Sequence, residues 1–373
     1  MQTEIYIFSI SPAPLKVKNN RAFYGKYYLK RRHFMTDKRT SKIFTSNIRI
    51  SETCCFGGTL ESEGPLGKFF DGFTEPEPQE GQSWEKHESD MIQNTVKTLL
   101  EKAEIPEKEI GLLLGGDLMN QCTSSAYGLE EFDIPYIGLY GACSTFAEGI
   151  MTASMYLEAD VCRSAIASAS SHFCSAERQY RFPLSYGAFP QGTSQHTVTG
   201  CGAALLEKTE GGNAGIYVKS ALPGIVINSG ITNASNMGAA MATAAADTIL
   251  RHLNCTGTTL TDYDMIATGD LGKIGLEMLK DMLKSHGHHD KDNIVTDCGV
   301  LVYDTENQDV SCGGSGCGCS AVTFCGYIFD RMKKKELQKV LLVGTGAMMS
   351  PQSLLQGLSI PAVAHLVEFE VRL

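Results

Sequence analysis

Residues Tyr136–Ile150 read YIGLYGACSTFAEGI, and this stretch decides the fold. The pattern predicts a short buried strand over Tyr136–Tyr140, a tight turn of small residues over 141–144, and a helix to about Glu158. Cys143 then lies at the first turn of that helix, where free N–H groups and the positive end of the helix dipole favour a thiolate. Several enzymes that transfer acyl groups present a nucleophile in this way. The alternative is that Cys143 is a small buried packing residue, as most cysteines are.

The composition argues against several classes of protein. The chain of 373 residues carries a formal net charge of −10 at pH 7, so we do not expect it to bind nucleic acid. Thirteen cysteines at irregular spacings are typical of a reduced, intracellular protein rather than a secreted disulfide framework. We find no apolar run long enough to span a bilayer and no signal peptide, and we therefore expect a soluble protein or one attached to a membrane by its surface.

The first fifty residues differ in charge from the rest of the chain. They hold 11 Lys/Arg against two Asp/Glu, whereas the remainder holds 21 basic and 40 acidic residues. Residues 1–40 show no clear amphipathic period, and we expect them to be a basic N-terminal extension outside the fold, with Met35 as the native start. The other interpretation is a basic arm that binds an anionic membrane or partner.

The remaining chain repeats one order of elements twice. Strands are predicted at Asn47–Phe56 and Gly215–Leu222, and helices at Ser83–Lys102 and Met237–Leu253. Further matched segments are 112–118 with 265–271, the Cys143 turn with 313–321, 163–170 with 339–346, and 200–207 with 362–371. This repetition predicts an internally duplicated α/β unit with halves at 41–211 and 212–373. Strands that alternate with helices predict mainly parallel sheets covered on both faces.

A duplicated α/β unit with a cysteine elbow in its first half resembles the thiolase superfamily, which includes thiolases and 3-ketoacyl-carrier-protein synthases. Five strings narrow the resemblance to the stage V sporulation protein AD family of spore-forming bacteria: YGACST (140–145), SASSHFCSAERQYRFP (168–183), TGDLGKIG (268–275), SGCGCSAV (315–322) and GTGAMMSP (344–351). The resemblance covers the chain from about Arg49 to its C-terminus. It implies a thiolase-like fold in which two mixed five-stranded sheets and helices form five layers.

The same resemblance implies the function of a sporulation protein that binds dipicolinic acid and takes part in the uptake of this acid into the developing spore. Such a protein works with membrane subunits of the same transport system. It is expected inside the cell, in the forespore or spore, soluble or peripheral at the spore inner membrane. Thiolase-like proteins pair through the sheet of the first half, so a homodimer is also expected.

Resemblance to the condensing enzymes implies which groups a working site would need beside Cys143. Active members add a His and an Asn, or two His, from the second half to polarise the thioester carbonyl and stabilise the growing negative charge. Where the His would stand, this chain reads Ala267-Thr268-Gly269-Asp270, and Gly318 lies near the expected Asn. A carboxylate such as Asp270 would oppose that charge. We therefore predict that Cys143 is a vestigial nucleophile in a pocket converted to binding.

An enzyme remains the alternative function. His196 and His365 are the candidates for a base supplied from elsewhere in the chain. In that case the protein would be an acyltransferase or condensing enzyme that uses Cys143 on acyl thioesters.

The ligand implied by the resemblance sets requirements for its site. Dipicolinate is a flat aromatic dianion, which needs a flat apolar slot and donors for two carboxylates. His172, Arg178 and Arg181 follow a predicted strand, and an arginine fork suits a carboxylate. The helix N-terminus at Cys143 and Ser144 offers further N–H donors. The alternatives are that Arg178 pairs with Glu177 or another surface acid, and that His172 is a satisfied core residue.

We expect a metal ion at this site only if it accompanies the ligand that the resemblance implies. Calcium can accompany dipicolinate, which chelates it, and Asp117 and Asp270 at matched strand ends are the first candidates for oxygen ligands. We favour the alternative that these two carboxylates hold the halves together by binding loop N–H groups. The cysteines at 312, 317, 319 and 325 show no familiar zinc spacing, so we predict neither a protein-bound metal nor a cofactor.

Overall fold

The computed structural model describes residues 41–180 and 191–373. The strands of these residues are β1 Lys42–Ile43, β2 Asn47–Gly57, β3 Gly72–Phe73, β4 Leu112–Gly116, β5 Tyr136–Gly138, β6 Ser164–Ser171, β7 His196–Thr197, β8 Gly200–Thr209, β9 Gly215–Leu222, β10 Ile227–Asn228, β11 Met265–Thr268, β12 Val295–Asp297, β13 Gly314–Ser315, β14 Lys339–Ala347 and β15 Pro361–Arg372. Their helices are α1 Thr59–Ser62, α2 Trp84–Ala103, α3 Thr123–Leu129, α4 Thr145–Glu158, α5 Phe173–Tyr180, α6 Met237–Thr256, α7 Gly272–Ser285, α8 Cys298–Leu301, α9 Cys317–Val322, α10 Phe329–Lys333 and α11 Pro351–Leu355. A π-helical segment, Thr323–Ile328, joins α9 to α10. The predicted N-terminal extension, residues 1–40, lies outside the described residues.

Each half of the chain builds the same five-stranded mixed sheet. The strand order is β5-β4-β6-β8-β2 in the first half and β12-β11-β14-β15-β9 in the second. In both sheets the last strand of the half, β8 or β15, runs antiparallel to its two neighbours. The other neighbouring pairs are parallel. The internal duplication predicted from the sequence is therefore confirmed by topology.

The two sheets meet at one edge, which the sequence analysis did not predict. β2 and β9 pair antiparallel at Arg49↔Tyr217 and Ile50↔Ile216. The ladder of hydrogen bonds therefore runs without a break from β5 to β12. The two five-stranded sheets expected from the resemblance are present, and this short contact joins them edge to edge.

Helices fill the space between the two sheets and cover their outer faces. α4 and the α9–α10 segment contact strands of both units, while α2 and α3 pack on the first half and α6 and α7 on the second. This gives the five layers that the resemblance implied. The rings of Phe146, Phe324 and Phe369 meet in the middle layer, with centroids 5.8 and 4.5 Å apart. Among the described residues, no helix combines the length and the apolar character that crossing a bilayer requires.

The outer helices begin and end where their capping residues dictate. The Ser83 side chain accepts a hydrogen bond from the Lys86 N–H, as expected for the N-cap of α2. The matched helix α6 ends at Thr256 because Gly257 adopts φ +70°, the left-handed conformation that terminates helices. It is therefore three residues longer than the apolar pattern predicted.

Candidate functional site

Cys143 lies in the turn between β5 and α4, where the sequence predicted it. Ala142–Ser144 form a single 3-10 turn before α4, and Ala142 has a φ of +50°. The Ser144 hydroxyl donates to the Gly141 carbonyl at 2.7 Å, and the Thr145 hydroxyl donates to the Ala142 carbonyl at 2.6 Å. Cys143 is 7% exposed and Ser144 is fully buried. Two hydroxyl groups thus hold the elbow closed around the thiol.

The thiol faces residues of the second half. Its Sγ lies 4.0 Å from Ser315 Oγ, which donates to Asp270 Oδ2 at 3.1 Å. Burial raises the pKa of Cys143 well above its ordinary value, and the charge of Asp270 raises it further. The expectation of a thiolate was therefore wrong. The helix end is present, but low-dielectric surroundings and a carboxylate outweigh it.

Asp270 is a fully buried carboxyl beyond the C-terminal end of β11. It accepts hydrogen bonds from the Thr345 hydroxyl at 2.7 Å, the Ser315 hydroxyl at 3.1 Å and the Gly316 N–H at 3.2 Å. Burial raises the pKa of Asp270 to about 7 despite these donors. The carboxylate binds loop donors, as we favoured. Those three donors all belong to the second half, whereas two groups of the first half also interact with this residue: Gln195 Nε2 donates to the Asp270 main-chain carbonyl at 2.5 Å, and the Cys143 thiol lies within electrostatic range of the carboxyl.

The duplication places a second cysteine opposite the first. Cys317 opens α9 at the position that matches the Cys143 turn, and burial followed by the charge of Asp117 raises its pKa well above the ordinary value. Asp117 follows β4 and accepts the N–H groups of Met119 and Ser125, both at 2.7 Å. Each elbow thiol is thus within electrostatic range of the strand-end aspartate of the other half, which no local sequence pattern reveals.

Glu88 is a buried carboxyl that the sequence analysis missed. It lies within α2 and accepts hydrogen bonds from the hydroxyls of Ser124, Ser170 and Ser175 at 3.2, 2.9 and 2.8 Å. Burial and the charge of Asp117 raise its pKa to about 8. The available signal was its place three residues before Met91, on the apolar face of the helix.

The raised pKa values of three buried carboxyls predict that the free energy of unfolding falls as the pH rises toward 8. Burial raises the pKa of Glu61 and Asp270 to about 7 and that of Glu88 to about 8, whereas a carboxyl in the unfolded chain has a pKa of about 4. The folded chain therefore binds these protons more tightly, and this stabilisation is lost as the pH rises through the folded pKa values. Desolvation lowers the pKa of three histidines to about 4, and these oppose the effect only below their unfolded pKa of about 6.5: His172, His252 and His365.

We expect the melting temperature to fall by several degrees between pH 6.5 and pH 8.5. The fall should be smaller in Glu88→Gln, which keeps an acceptor oxygen and no longer titrates. Scanning calorimetry across this interval measures both, and a melting temperature that stays constant or rises would contradict the assignment.

His172 packs in an aromatic cluster beside α2. Its Nε2 lies 3.3 Å from His87 Nδ1, and its ring centroid lies 5.3 Å from that of Trp84. Burial lowers the pKa of His172 to about 4, so the ring is neutral at pH 7. Its Nδ1 accepts the Cys174 N–H at 3.2 Å, so both ring nitrogens already have partners and a ligand would have to displace His87 to receive a hydrogen bond from Nε2.

The other two candidate bases also have partners of their own. His196 stacks on Phe173 with ring centroids 4.1 Å apart, and His365 Nδ1 accepts the Gly224 N–H at 3.1 Å. Within residues 41–180 and 191–373, no hydrogen bond joins an imidazole to the Cys143 thiol. The geometry provides a buried thiol without an adjacent general base from these rings.

Arg178 lies on α5 and forms an ion pair with Glu85 of α2. Its side chain is 52% exposed. The alternative of a surface ion pair thus describes its position, with Glu85 in place of Glu177. An exposed pair of this kind contributes little free energy, so the side chain can leave it for a ligand. Arg181 lies outside the described residues, and its role stays a prediction.

Gly318 is a close-packing residue in α9. Its N–H donates to Ser171 Oγ at 3.1 Å, and a β carbon at this position would lie 2.3 Å from the Gly200 carbonyl oxygen. The hydroxyl of this turn that reaches the thiol belongs to Ser315, three positions earlier, which we did not select. The match between 313–321 and the Cys143 turn was the signal that could have found it.

No group of three or more His, Cys, Asp or Glu side chains in the described parts of the chain is arranged to hold a metal ion.

A surface groove of about 600 Å³ is lined by Lys68, Phe69, Phe70, Asp71, Asp330 and Lys334. Its two carboxylates pair with lysines at 2.7 Å, Asp71 with Lys102 and Asp330 with Lys334. None of the residues lining this groove belongs to the elbow that carries Cys143.

Comparison with known proteins gives both close and distant relatives. A sequence model of the family described as Stage V sporulation protein AD (SpoVAD) matches residues 38–370. Stage V sporulation protein AD of Bacillus subtilis (strain 168) is 39% identical over 341 residues, which is 90% of this chain and 98% of the relative. Among solved structures, OleA of Xanthomonas campestris has a TM-score of 0.57 at 14% identity, covering 88% of this chain and 100% of that chain. The 3-oxoacyl-[acyl-carrier-protein] synthase III of Aquifex aeolicus has a TM-score of 0.52 at 11% identity, covering 87% and 99%. The solved structures show that the thiolase-like fold is shared.

Proposed function

This chain belongs to the stage V sporulation protein AD family, and from that premise we propose that it is a non-catalytic sporulation protein that binds dipicolinic acid. In this proposal it takes part in the uptake of dipicolinic acid into the developing spore, together with membrane subunits of the same system. It works inside the forespore or spore, soluble or peripheral at the spore inner membrane. Calcium can accompany the ligand.

The observation that carries the non-catalytic part is the environment of the thiol. Cys143 is buried, its pKa is raised, and its Sγ lies 4.0 Å from the Ser315 hydroxyl, which is bonded to the Asp270 carboxyl. A nucleophilic thiol needs an adjacent base or a lowered pKa, and an acyl intermediate needs donors that stabilise an oxyanion. The negative charge of an ionised Asp270 raises the pKa of the thiol and would repel an oxyanion, so this carboxylate stabilises neither a thiolate nor an acyl intermediate.

The same environment is compatible with an acidic ligand. Because the pKa of Asp270 is raised to about 7, this carboxyl is partly protonated near neutral pH and then does not repel a dianion. The donors that we propose for the carboxylates of dipicolinate are the elbow N–H groups at Cys143 and Ser144, the His172 ring, Arg178 and Arg181. Asp117, Asp270 and Gly318 shape the surroundings of this site.

Titration calorimetry tests the binding proposal. Dipicolinate should release or absorb heat on binding, with or without calcium, and isophthalate should bind more weakly because it lacks the ring nitrogen. Arg178→Gln should weaken binding of dipicolinate. The matched control is Arg163→Gln, which alters an arginine that pairs with Glu210 and is 77% exposed. The absence of heat with either ligand, calcium present or absent, would remove the proposal.

Mass spectrometry with acyl thioesters tests the non-catalytic part. We expect no covalent adduct on Cys143. A stable acyl adduct that disappears in Cys143→Ala would overturn this part and favour the alternative, an acyltransferase or condensing enzyme.

We also propose that the protein is a homodimer that pairs through β5. β5 is the edge strand of its sheet, and the residues at its two ends, Tyr136 and Gly138, are both exposed. The matched edge strand β12 has two of its three residues buried. An unpaired edge with exposed aromatic residues is typical of a surface that another chain covers.

Gly138→Pro tests this pairing at the edge. The Pro135 carbonyl and the Leu139 N–H bond to β4, so the alternation of the ladder points the Gly138 N–H outward. Removing that donor should leave the sheet intact and block pairing across the edge. We expect sedimentation to give a dimer for the unaltered protein and a monomer for the variant. A monomer in both cases would contradict the dimer proposal.

A further inference from the structure

One backbone carbonyl near the elbow receives three side-chain donors. The Leu118 carbonyl accepts from the Tyr180 hydroxyl at 2.7 Å, from Gln179 Nε2 at 2.8 Å and from the Tyr140 hydroxyl at 3.4 Å. The hydroxyls of Tyr140 and Tyr180 also bond to each other. The end of α5 is thereby tied both to the loop after β4 and to the residue that precedes the Cys143 turn.

The two tyrosines lie close to the elbow. Tyr140 directly precedes Gly141 and is 41% exposed, whereas Cys143, three residues later, is 7% exposed. The Tyr180 ring packs against the core cluster that contains Cys143 and Cys317. Both hydroxyls are within electrostatic range of the two thiols.

We propose that the hydroxyl contact between Tyr140 and Tyr180, fastened to the Leu118 carbonyl, is a gate that controls access to Cys143. When the contact is made, the rings cover the thiol. When the Tyr180 hydroxyl leaves the carbonyl, a small molecule reaches the thiol. The gate controls access to the site at which we propose that dipicolinate binds, so its biological role rests on that proposed function. The test of the gate itself needs no ligand.

The hydrogen bonds that Tyr140 and Tyr180 make to the Leu118 carbonyl are weak enough for the gate to open often. A carbonyl oxygen has two lone pairs, so three donors share it imperfectly, and the long bond from Tyr140 is the weakest. All donors are neutral, so each bond contributes little net stability. The Asn120 N–H donates separately to Gln179 Oε1 at 3.1 Å. This bond keeps the end of α5 in place while the phenol groups move.

Alkylation of individual cysteines measures the opening. The full chain is treated with iodoacetamide, and the labelling rate of each cysteine is followed by peptide mass spectrometry. The exposed Cys255 reports the reactivity of the reagent, and the fully buried Cys298 reports global unfolding. In Tyr180→Phe, which loses both the 2.7 Å bond to Leu118 and the contact with Tyr140, we expect the rate at Cys143 to rise at least about fivefold, because the loss of one neutral hydrogen bond alone gives a change of that size.

Two further variants complete the test. Tyr140→Phe should raise the Cys143 rate less, because it loses the 3.4 Å bond and the contact with Tyr180 while Tyr180 keeps Leu118. Tyr127→Phe alters a tyrosine of the same half that is 59% exposed, and should leave the rate unchanged. The gate is overturned if Cys143 labels at the same rate in all proteins, or if Cys143 and Cys298 rise together. A failure of dipicolinate to bind in calorimetry, with the labelling pattern as expected, would remove the ligand and leave the gate.

Discussion

Replacing Asp270 by leucine is expected to lower the free energy of unfolding by about 3–5 kcal/mol. The carboxyl accepts hydrogen bonds from the Gly316 N–H, the Ser315 hydroxyl and the Thr345 hydroxyl, all in a fully buried position. An apolar side chain would leave these donors without an acceptor and without water. The loss exceeds the gain from no longer burying a titratable group, because each unsatisfied donor carries its own desolvation cost. Denaturant unfolding measures the difference.

Asp270→Asn is the matched control for this prediction. It retains one acceptor oxygen and the volume of the side chain, so we expect less than half of the destabilisation caused by leucine. It also removes the charge that raises the pKa of Cys143. The pH at which Cys143 is alkylated should therefore shift to lower values in this variant. Equal stabilities of the leucine and asparagine variants would show that the hydrogen bonds do not matter, and an unchanged pH profile would show that Asp270 does not act on the thiol.

Gly318→Ala is expected to destabilise the protein by about 3 kcal/mol or to prevent its folding. The added β carbon would lie 2.3 Å from the Gly200 carbonyl oxygen and 2.8 Å from Ser171 Oγ. The first of these atoms is backbone of β8 where α9 packs against it, so it cannot move without shifting β8 or α9. We expect the loss in thermal unfolding, whether or not a ligand is present.

Gly212→Ala is the control for this glycine. A β carbon at Gly212 would meet no atom within 4 Å. It should therefore change the melting temperature by a degree or less. If Gly318→Ala were equally harmless, the close approach of α9 to β8 would not be a constraint, and a role for Gly318 in contacting a ligand would again be the better interpretation.

Much of the fold could be predicted because it depends on patterns that recur along the chain. The match of 112–118 with 265–271 and of 163–170 with 339–346 identified strands in equivalent places of two sheets, and the structure gives those strands the same order in each half. The ends of elements were less accurate. β8 was expected over 197–207 and runs Gly200–Thr209, because Thr197 pairs with β13 in a separate small ladder. Pairing between distant segments decides such boundaries.

Some residues of the candidate site could likewise be identified from local sequence, whereas others are brought together only by tertiary packing. Cys143 was found from its local sequence, because an elbow between strand and helix is written in consecutive residues. The approach of Ser315 to the thiol and the contact of Tyr180 with Tyr140 were not found, because they result from how β13 and α5 pack. Arg178 was correctly seen as able to pair with an acid, but its partner Glu85 is 93 residues away in the chain.

By itself the sequence determined the duplicated α/β architecture, the elbow that holds Cys143, and the resemblance by which the family was recognised. Only the tertiary structure decided the protonation of that thiol and which groups lie against it. The physical reason is that a pKa depends on burial and on charges brought near in space, and the aspartate that faces Cys143 comes from the other half of the chain. The patterns that predict helices and strands are local, whereas the field at the thiol is set by contacts between the halves.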